Sequence, residues 1–160
     1  MRGIAATISN PRTEAQMNQR AKFSAVLKFL QPLTPFLRIG FKNYAVGMTA
    51  FNAAMSINIQ NALTGTYPLY EIDYSKALIS RGNLPGALNS VATSVIPGEI
   101  EYTWNNNSDD TNAMPDDKVI LIVVNPAKFQ AVTLVGGNTR AAGSDTITLP
   151  ASFVGDEVQC

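Results

Sequence analysis

The residues of this sequence that could do chemistry are mostly carboxylates, and they are densest in NNNSDDTNAMPDDK, residues 105–118. Asp109, Asp110, Asp116 and Asp117 offer oxygen ligands of the kind that Ca²⁺ takes. The stretch lacks the EF-hand ligand spacing and its turn glycine, and an exposed loop between strands has the same composition. We predict no metal site and keep these four aspartates as the calcium candidate.

No catalytic group accompanies the other carboxylates. Glu99 and Glu101 share a strand face opposite Tyr102 and Trp104, which points them to solvent. The chain has no histidine, so Ser-His-Asp and Cys-His systems and histidine metal sites are excluded. The single Cys160 cannot form an internal disulfide or a thiolate metal site by itself. We therefore predict a protein that is not an enzyme and binds no cofactor.

Charge is unevenly spread although the net charge is zero. Residues 1–70 contain seven basic residues and one acidic residue, a net +6, whereas residues 71–160 contain five basic and eleven acidic residues, a net −6. Opposite fields steer association within a chain or between copies. The alternative is two modules with different surfaces. The basic density of the first half is modest, which argues against nucleic acid as a partner.

Two amphipathic helices are predicted in the first half. Thr13 is a good N-cap and Gln16 completes a capping box. Apolar residues then recur at helical spacing from Phe23 to Leu30, and a second helix, capped by Thr49, follows an aromatic-rich connector. Arg20 lies one turn before the first apolar face and is an interface candidate, with a solvated arginine as the alternative. These helices are expected to form a hairpin.

Short strands follow from Tyr67 onward. LYEIDYSK and EIEYTWN alternate apolar and polar residues, and KVILIVVN is a continuous apolar run that predicts burial on both sides. Turn-rich segments separate FQAVTL, TITLP and DEVQC, a pattern typical of an antiparallel sandwich. The predicted core of the whole chain comprises Phe23, Leu27, Phe51, Met55, Trp104, Ile120 and Ile122.

Residues 86–160 resemble a fibronectin type III or immunoglobulin-like module. The resemblance is carried by Trp104, by VILIVV and by the ending TITLPASFVGDEV, which is similar to the strand and turn that lead into strand F. The chain departs from that pattern at Val158, where an aromatic residue is usual, and it lacks the rest of strand F and strand G. The predicted class is therefore α+β, with an arm and helical hairpin at 1–66, a connecting strand at 67–85 and an incomplete sandwich at 86–160.

The whole chain also resembles an uncharacterised family from Bacteroidetes-type bacteria, a domain of unknown function. The stretches NPRTEAQMNQRAKF, GFKNYAVGMTAFNAA, NALTGTYPLYEIDYSKALISRGNLPGAL and DKVILIVVNPAK carry this resemblance. Family members extend further at both ends, which implies that this chain is a fragment or a processed form. The family implies no activity.

An incomplete sandwich exposes unpaired backbone groups along an edge, and a partner strand or an exchanged segment can cover them. The alternating residues Ile4, Ala6 and Ile8 are a candidate donor, and Val158 and Cys160 mark the open edge. The alternative is simple truncation without exchange.

We therefore expect a non-catalytic assembly subunit whose main partners are copies of itself, in a surface filament or phage-like particle. The alternative is a module that binds a glycan or another protein through its sandwich-end loops. No apolar run approaches the ~18 residues of a membrane span, and MRGIAATISNPRTEAQ lacks the apolar segment of a signal peptide. An extracellular or virion-associated location is favoured.

Overall fold

The first helix begins where the sequence predicts. The computed structural model describes residues 12–94, 96–109 and 111–160. Helix α1 spans Glu14–Leu30, and the Gln16 amide donates to the Thr13 hydroxyl at 3.4 Å while the Thr13 amide donates to the Gln16 side chain at 3.3 Å. This reciprocal capping box satisfies amide groups that the first helical turn leaves free.

The buried face of α1 differs from the predicted one. Phe23 is 48% exposed and so is not a core residue, whereas Val26, Phe29 and Leu30 are buried. Leu27 is half-buried at the margin of the same cluster. The spacings 23-26-27-30 and 26-29-30-33 share two positions, so periodicity does not separate them. In the structure the second set is the buried one, in the core that α1 shares with α3 and β2.

Three helices form where two were predicted. The connector predicted to be irregular contains α2, Thr34–Gly40, which follows a single 3₁₀ turn, Gln31–Leu33. Pro35 stands in the first turn of α2, where its missing N–H costs nothing. Helix α3 spans Ala50–Asn61 and is capped by the Thr49 hydroxyl. Met55 is buried in this helical core and Phe51 packs at its margin.

A small hairpin follows the helices. Strands β1, Leu63–Thr66, and β2, Leu69–Ile72, pair antiparallel, with Leu63 opposite Ile72. Both of these residues pack against the helical core. Gly65 lies in β1 at φ +85°, a backbone angle that glycine adopts without strain, and so supports the tight return to β2.

The remaining strands form two antiparallel sheets that pack face to face, a sandwich-like arrangement in an α+β protein. One sheet has the order β3-β4-β7 and the other contains β5 and β6. The strands are β3 Leu88–Thr93, β4 Glu99–Asn105, β5 Lys118–Asn125, β6 Gln130–Thr139 and β7 Ser144–Thr148. Ile100 and Ile147 of the first sheet meet Leu121 and Val123 of the second.

Strand β5 forms part of a middle layer. Its odd-numbered side chains, such as Leu121 and Val123, face the three-stranded sheet, and Val124 on the other face joins the helical core. The prediction of burial on both sides is thus confirmed for this part of the strand. Ile122 is half-buried, but Ile120 is 39% exposed, so its place in the predicted core is wrong. Ile120 lines an open groove between β5 and α2, so α2 does not cover it.

Candidate assembly interface at the edge of strand β5

The outer edge of β5 is paired at one end. The Val124 amide donates to the Gln159 carbonyl at 2.8 Å, and the Gln159 amide donates back to the Val124 carbonyl at 2.8 Å. This two-way pair shows that the Val124 backbone points away from β6. Because backbone direction alternates along a strand, the N–H and C=O groups of Ile122 and Ile120 point the same way.

Beyond Val124 the edge is open. Within residues 12–94, 96–109 and 111–160, no backbone group hydrogen-bonds to the outward groups of Ile122 or Ile120. One side chain does so, since the Tyr102 hydroxyl donates to the Ile122 carbonyl at 2.8 Å. Burial of the Tyr102 ring, and secondarily its contact with the Cys160 thiol, raise the pKa of that hydroxyl. The phenol therefore stays protonated and remains a donor.

An apolar groove of about 310 Å³ runs beside this open edge. Phe36 and Ile39 of α2 and Ile79 of the following loop form one wall, and Ile120 and Ile122 form the other. Ile39 is 57% exposed at the rim. Apolar side chains therefore lie beside unpaired strand backbone. Strand addition depends on both features, because the added strand hydrogen-bonds the backbone and places side chains in the pockets.

Gly40 brings the loop wall close to α2. A Cβ at this position would lie 2.6 Å from the Ile79 carbonyl oxygen, so only glycine allows the loop to pass. The Arg81 amide then donates to the Gly40 carbonyl at 2.8 Å and holds the loop in place. The groove is therefore a built feature of the fold, fixed by backbone contacts.

The predicted interface residues are only partly gathered here. Val158 packs at the margin of the sandwich core, and Cys160 is exposed and lines the groove. Arg20 is exposed on α1 and is not among the residues that line the groove. Ile4, Ala6 and Ile8 lie outside the described residues.

The calcium candidates do not form a cation site in the part of the chain that is described. Asp117 accepts hydrogen bonds from the Met114 amide at 2.9 Å and from Arg140 Nε at 3.3 Å, so its carboxylate is already used. Asp109 and Asp116 are exposed, and Asp110 lies outside the described residues. No group of three potential metal ligands occurs among the described side chains.

Arg140 forms a buried network that sequence reasoning did not identify. Its guanidinium donates to the Asn107 side chain at 2.6 Å and to the carbonyls of Pro85 and Gly86, besides contacting Asp117. These partners come from two loops, the one before β3 and the one between β4 and β5, so one cation ties this end of the sandwich together. Its backbone carbonyl also accepts a hydrogen bond from the indole of the buried Trp104 at 2.8 Å.

A second cleft, of about 550 Å³, lies between α1, β2 and the β5–β6 turn. Tyr70, Tyr74 and Phe129 contribute aromatic rings, and the Lys28 ammonium lies 5.1 Å from the centre of the Phe129 ring. Burial raises the pKa of Tyr74. The volume of this cleft falls in the range of small-ligand sites.

Comparison with known proteins places the chain in a family. The model of a family of unknown function, DUF6266, matches residues 1–160, so the chain belongs to that family. Neither the curated proteins nor the solved structures give a significant match. Among the described helices, none has the length and apolar content that a membrane crossing requires.

Proposed function

We propose that this DUF6266 member is a non-catalytic structural subunit of a larger homo-oligomeric assembly. Copies join through strand addition at the edge of β5, supported by contacts between oppositely charged surfaces. A bacterial surface filament or a phage-like particle is the form of assembly that suits such a subunit. Head-to-tail joining is heterologous, and heterologous contacts allow open filaments.

The observation that carries this proposal is the open edge of β5. Outward N–H and C=O groups at Ile120 and the outward N–H of Ile122 lie beside an apolar groove. Unpaired backbone groups next to apolar surface are costly to bury without partners. An incoming strand would hydrogen-bond these groups and also cover the apolar side chains of the groove. The Val124–Gln159 pair shows that this edge accepts an antiparallel strand.

Charge supports contacts between copies. The helical half carries Lys22 and Lys28 on α1, and neither forms an ion pair with a carboxylate of the described residues. The outer face of β4 carries Glu99 and Glu101. Glu99 lies opposite Thr148 and Glu101 opposite Thr146 of β7, so no cation stands beside them in the sheet. Opposite surfaces of this kind orient copies during association.

A binding module is the second candidate function, and the aromatic cleft favours it. Exposed rings such as Phe129 can stack on a glycan ring or on an apolar peptide side chain. A glycan array and a peptide array probed with the full chain and with Phe129→Ala would test this candidate. Binding that the substitution abolishes supports the module, and a chain that binds nothing on either array contradicts it.

Proline substitution at the open edge tests the assembly function. Ile120→Pro removes one outward N–H at a position where an edge strand tolerates proline, so the fold should persist while strand addition is blocked. The matched control Ile120→Val keeps the N–H and the strand preference. Size-exclusion chromatography with light scattering, over a concentration series, measures the association of each protein.

We expect concentration-dependent association of the wild-type chain and of Ile120→Val. In Ile120→Pro the association constant should fall by about tenfold or more, because one backbone hydrogen bond is worth about 1 kcal/mol and the ring also obstructs the edge. Raised salt should weaken association further through the charged surfaces. A wild-type chain that stays monomeric at every concentration would reject the proposal.

A further inference from the structure

We infer that the aromatic cleft between α1, β2 and the β5–β6 turn binds a small aromatic carboxylate, with its ring against Phe129 and its carboxylate on the Lys28 ammonium. This inference rests on the second candidate function, the binding module, and names the class of its ligand. Three observations lead to it: the backbone strain at Phe129, the charge of Lys28, and the side chains that line the cleft.

Phe129 is an aromatic residue at a position that suits glycine. It ends the turn between β5 and β6 with a backbone φ of +51°, in the left-handed region where a bulky side chain is strained. Its ring is 52% exposed, so burial in a core does not offset this strain. Strained backbone of this kind clusters at ligand-binding and other functional sites. The ring is therefore a candidate for contact with a bound molecule.

The turn that carries Phe129 is held by its neighbours. The Lys128 amide donates to the Asn125 side chain at 3.1 Å, and the Asn125 side chain donates to the Asp156 carboxylate at 2.6 Å. The Lys128 ammonium also donates to Asp156. The position of the ring is thus set before anything binds, and such preorganisation lowers the free-energy cost of binding.

Lys28 brings a positive charge to the same place. Its ammonium lies 5.1 Å from the centre of the Phe129 ring, and it forms no ion pair with a carboxylate of the described residues. Glu71 also lines the cleft, but it alternates with Tyr70 and Ile72 along β2, so its side chain belongs to the other face of the hairpin. Among the described lining residues, Lys28 is therefore the charge that a group held at this ring would meet.

The cleft has room for a ring beside these two side chains. On α1 its lining consists of small residues next to the lysine, namely Ala21, Ser24 and Ala25, and a volume of about 550 Å³ stays open. Tyr70 and Tyr74 add aromatic rings to the lining. Aromatic rings attract one another in offset-stacked and edge-to-face arrangements. A planar ring can therefore enter the cleft and contact aromatic side chains there.

The lining also selects the class of ligand. A sugar needs polar partners for its hydroxyl groups, and the side chain of Asn125, the amide in the lining, already bonds Lys128 and Asp156. An aliphatic anion would leave the aromatic rings uncovered, and a neutral ring would leave the Lys28 ammonium unpaired. An aromatic ring that carries a carboxylate interacts with both parts of the lining.

A matched pair of probes tests this inference. Naphthylacetate carries a ring and a carboxylate, and naphthylacetamide has the same ring without the charge. Amide chemical shifts in NMR spectra of the full chain, titrated at low salt, give the dissociation constant of each probe and the residues that it affects. Lys28→Met removes the charge and Phe129→Gly removes the ring. Lys42→Met and Phe23→Ala are the controls, because both residues are exposed and lie outside the lining of the cleft.

We expect the wild-type chain to bind naphthylacetate about fivefold more tightly than naphthylacetamide, since a solvated ion pair contributes affinity of that order. Lys28→Met should remove this difference and leave the affinity for the amide unchanged. Phe129→Gly should weaken the binding of both probes by about tenfold. The same variant should unfold at no lower urea concentration than the wild-type chain, because glycine relieves the strained turn.

The control variants should bind both probes as the wild-type chain does. Equal affinity of the wild-type chain for the two probes would overturn the inference. So would a preference for naphthylacetate that persists in Lys28→Met, or shifts that fall on residues outside the cleft.

The ligand class and the binding function can fail separately. If neither probe binds, but the arrays give a glycan or a peptide whose binding Phe129→Ala abolishes, the binding module stands and the ligand class is wrong. If naphthylacetate binds as expected and nothing on the arrays does, the ligand class stands and the binding of glycans and peptides is wrong.

Discussion

The helical core and the sandwich core of this chain differ in how completely they close. In the helical core, Val26, Leu30 and Leu33 are fully buried, and elements from α1 to β5 surround them. Its buried polar residue is also satisfied, because the Asn58 side chain bonds both the amide and the carbonyl of Leu78 at 2.9 and 2.7 Å.

The sandwich core is smaller and open at one side. Ile100, Leu121, Val123 and Ile147 are its buried members, and Val158 and Tyr102 lie at its margin. Tyr102 also lines the groove beside the open edge. A helix satisfies its backbone internally, whereas a strand depends on a neighbour. The difference teaches that the helical half closes its own packing, whereas the sandwich leaves outward backbone groups of β5 unpaired within the described residues.

Truncation of one leucine in each core should show the largest difference. Leu30→Ala is expected to lower the free energy of unfolding by about 3–4 kcal/mol, because the closed site cannot collapse around the cavity. Leu121→Ala should cost only about 2 kcal/mol, since neighbours at an open margin can relax into the space. Urea unfolding followed by circular dichroism measures both.

Phe23→Ala is the control for the helix face. Its ring is 48% exposed, so the change should cost about 0.5 kcal/mol. If Phe23→Ala lowered the free energy of unfolding as much as Leu30→Ala, the buried face of α1 would include Phe23, as the sequence predicted. A loss for Leu121→Ala equal to that for Leu30→Ala would show that the two cores are closed alike.

Loss of the Arg140 network should give the next largest loss of stability. This network holds together the loops at one end of the sandwich. Arg140→Met keeps the apolar stem but removes one donor from Asp117, from the Asn107 side chain and from two loop carbonyls. The Met114 amide still donates to Asp117, and the Asn107 side chain still donates to the Gly86 carbonyl. We expect a loss of about 2–3 kcal/mol, since hydrogen bonds to a charged group are strong but the exposed carbonyls can rehydrate. Thermal and urea unfolding of the pure monomer measure it.

Arg81→Met is the matched control for that experiment. The Arg81 guanidinium is exposed and lies 4.5 Å from the centre of the Tyr44 ring, so its loss should cost less than about 1 kcal/mol. Equal losses for the two arginines would show that the Arg140 network does not hold the loops.

Local signals in the sequence predicted what depends on near neighbours. Thr13 and Gln16, three residues apart, predicted the start of α1, and the run VILIVV predicted a strand buried on both faces. The resemblance of residues 86–160 to a fibronectin type III module without its last strands is the reason why an open edge was expected. Ile120 was predicted to be a core residue because it belongs to a continuous apolar run. Such a run does not show which of its residues the helices cover.

Contacts between residues that are distant in sequence were missed, because local signals carry no information about them. The partners of Arg140 lie from 23 to 55 residues away in sequence, so no spacing pattern relates them. Helix α2 was hidden because Pro32 and Pro35 predict an interruption, and they instead start a 3₁₀ turn and a new helix. Phe29, and not Phe23, is buried, in the core that α1 shares with α3 and β2.

The smallest expected effect concerns the segment that leads to the paired end of β5. Asp156 accepts hydrogen bonds from Lys128 and from the buried Asn125, and these contacts, the Lys128 bond first, lower the pKa of its carboxyl group. A carboxyl whose folded pKa is lowered stabilises the fold above its unfolded pKa, and that stabilisation disappears as pH falls through the folded value.

Urea midpoints of the wild-type chain and of Asp156→Asn, from about pH 7 to about pH 2, measure this contribution. The wild-type chain should be slightly more stable at neutral pH, and the difference should begin to shrink below the ordinary pKa of 3.8. Asp73→Asn is the control for contact with the sandwich, because among the described residues the Asp73 carboxyl bonds Ser75 and Lys76 within one turn. The Ser75 bond, and then Lys76, also lower the pKa of Asp73, so the comparison with this variant should show a pH dependence of stability in the same direction.

The same two variants show whether this segment positions the open edge. If Asp156 holds residues 156–160 against β5, Asp156→Asn should also weaken association of copies at neutral pH, whereas Asp73→Asn should not. Loss of stability without any change in association would mean that the Val124–Gln159 pair forms independently of the carboxylate. The edge would then be shaped by the sandwich core alone, and the difference between the two cores would reside in β5 itself.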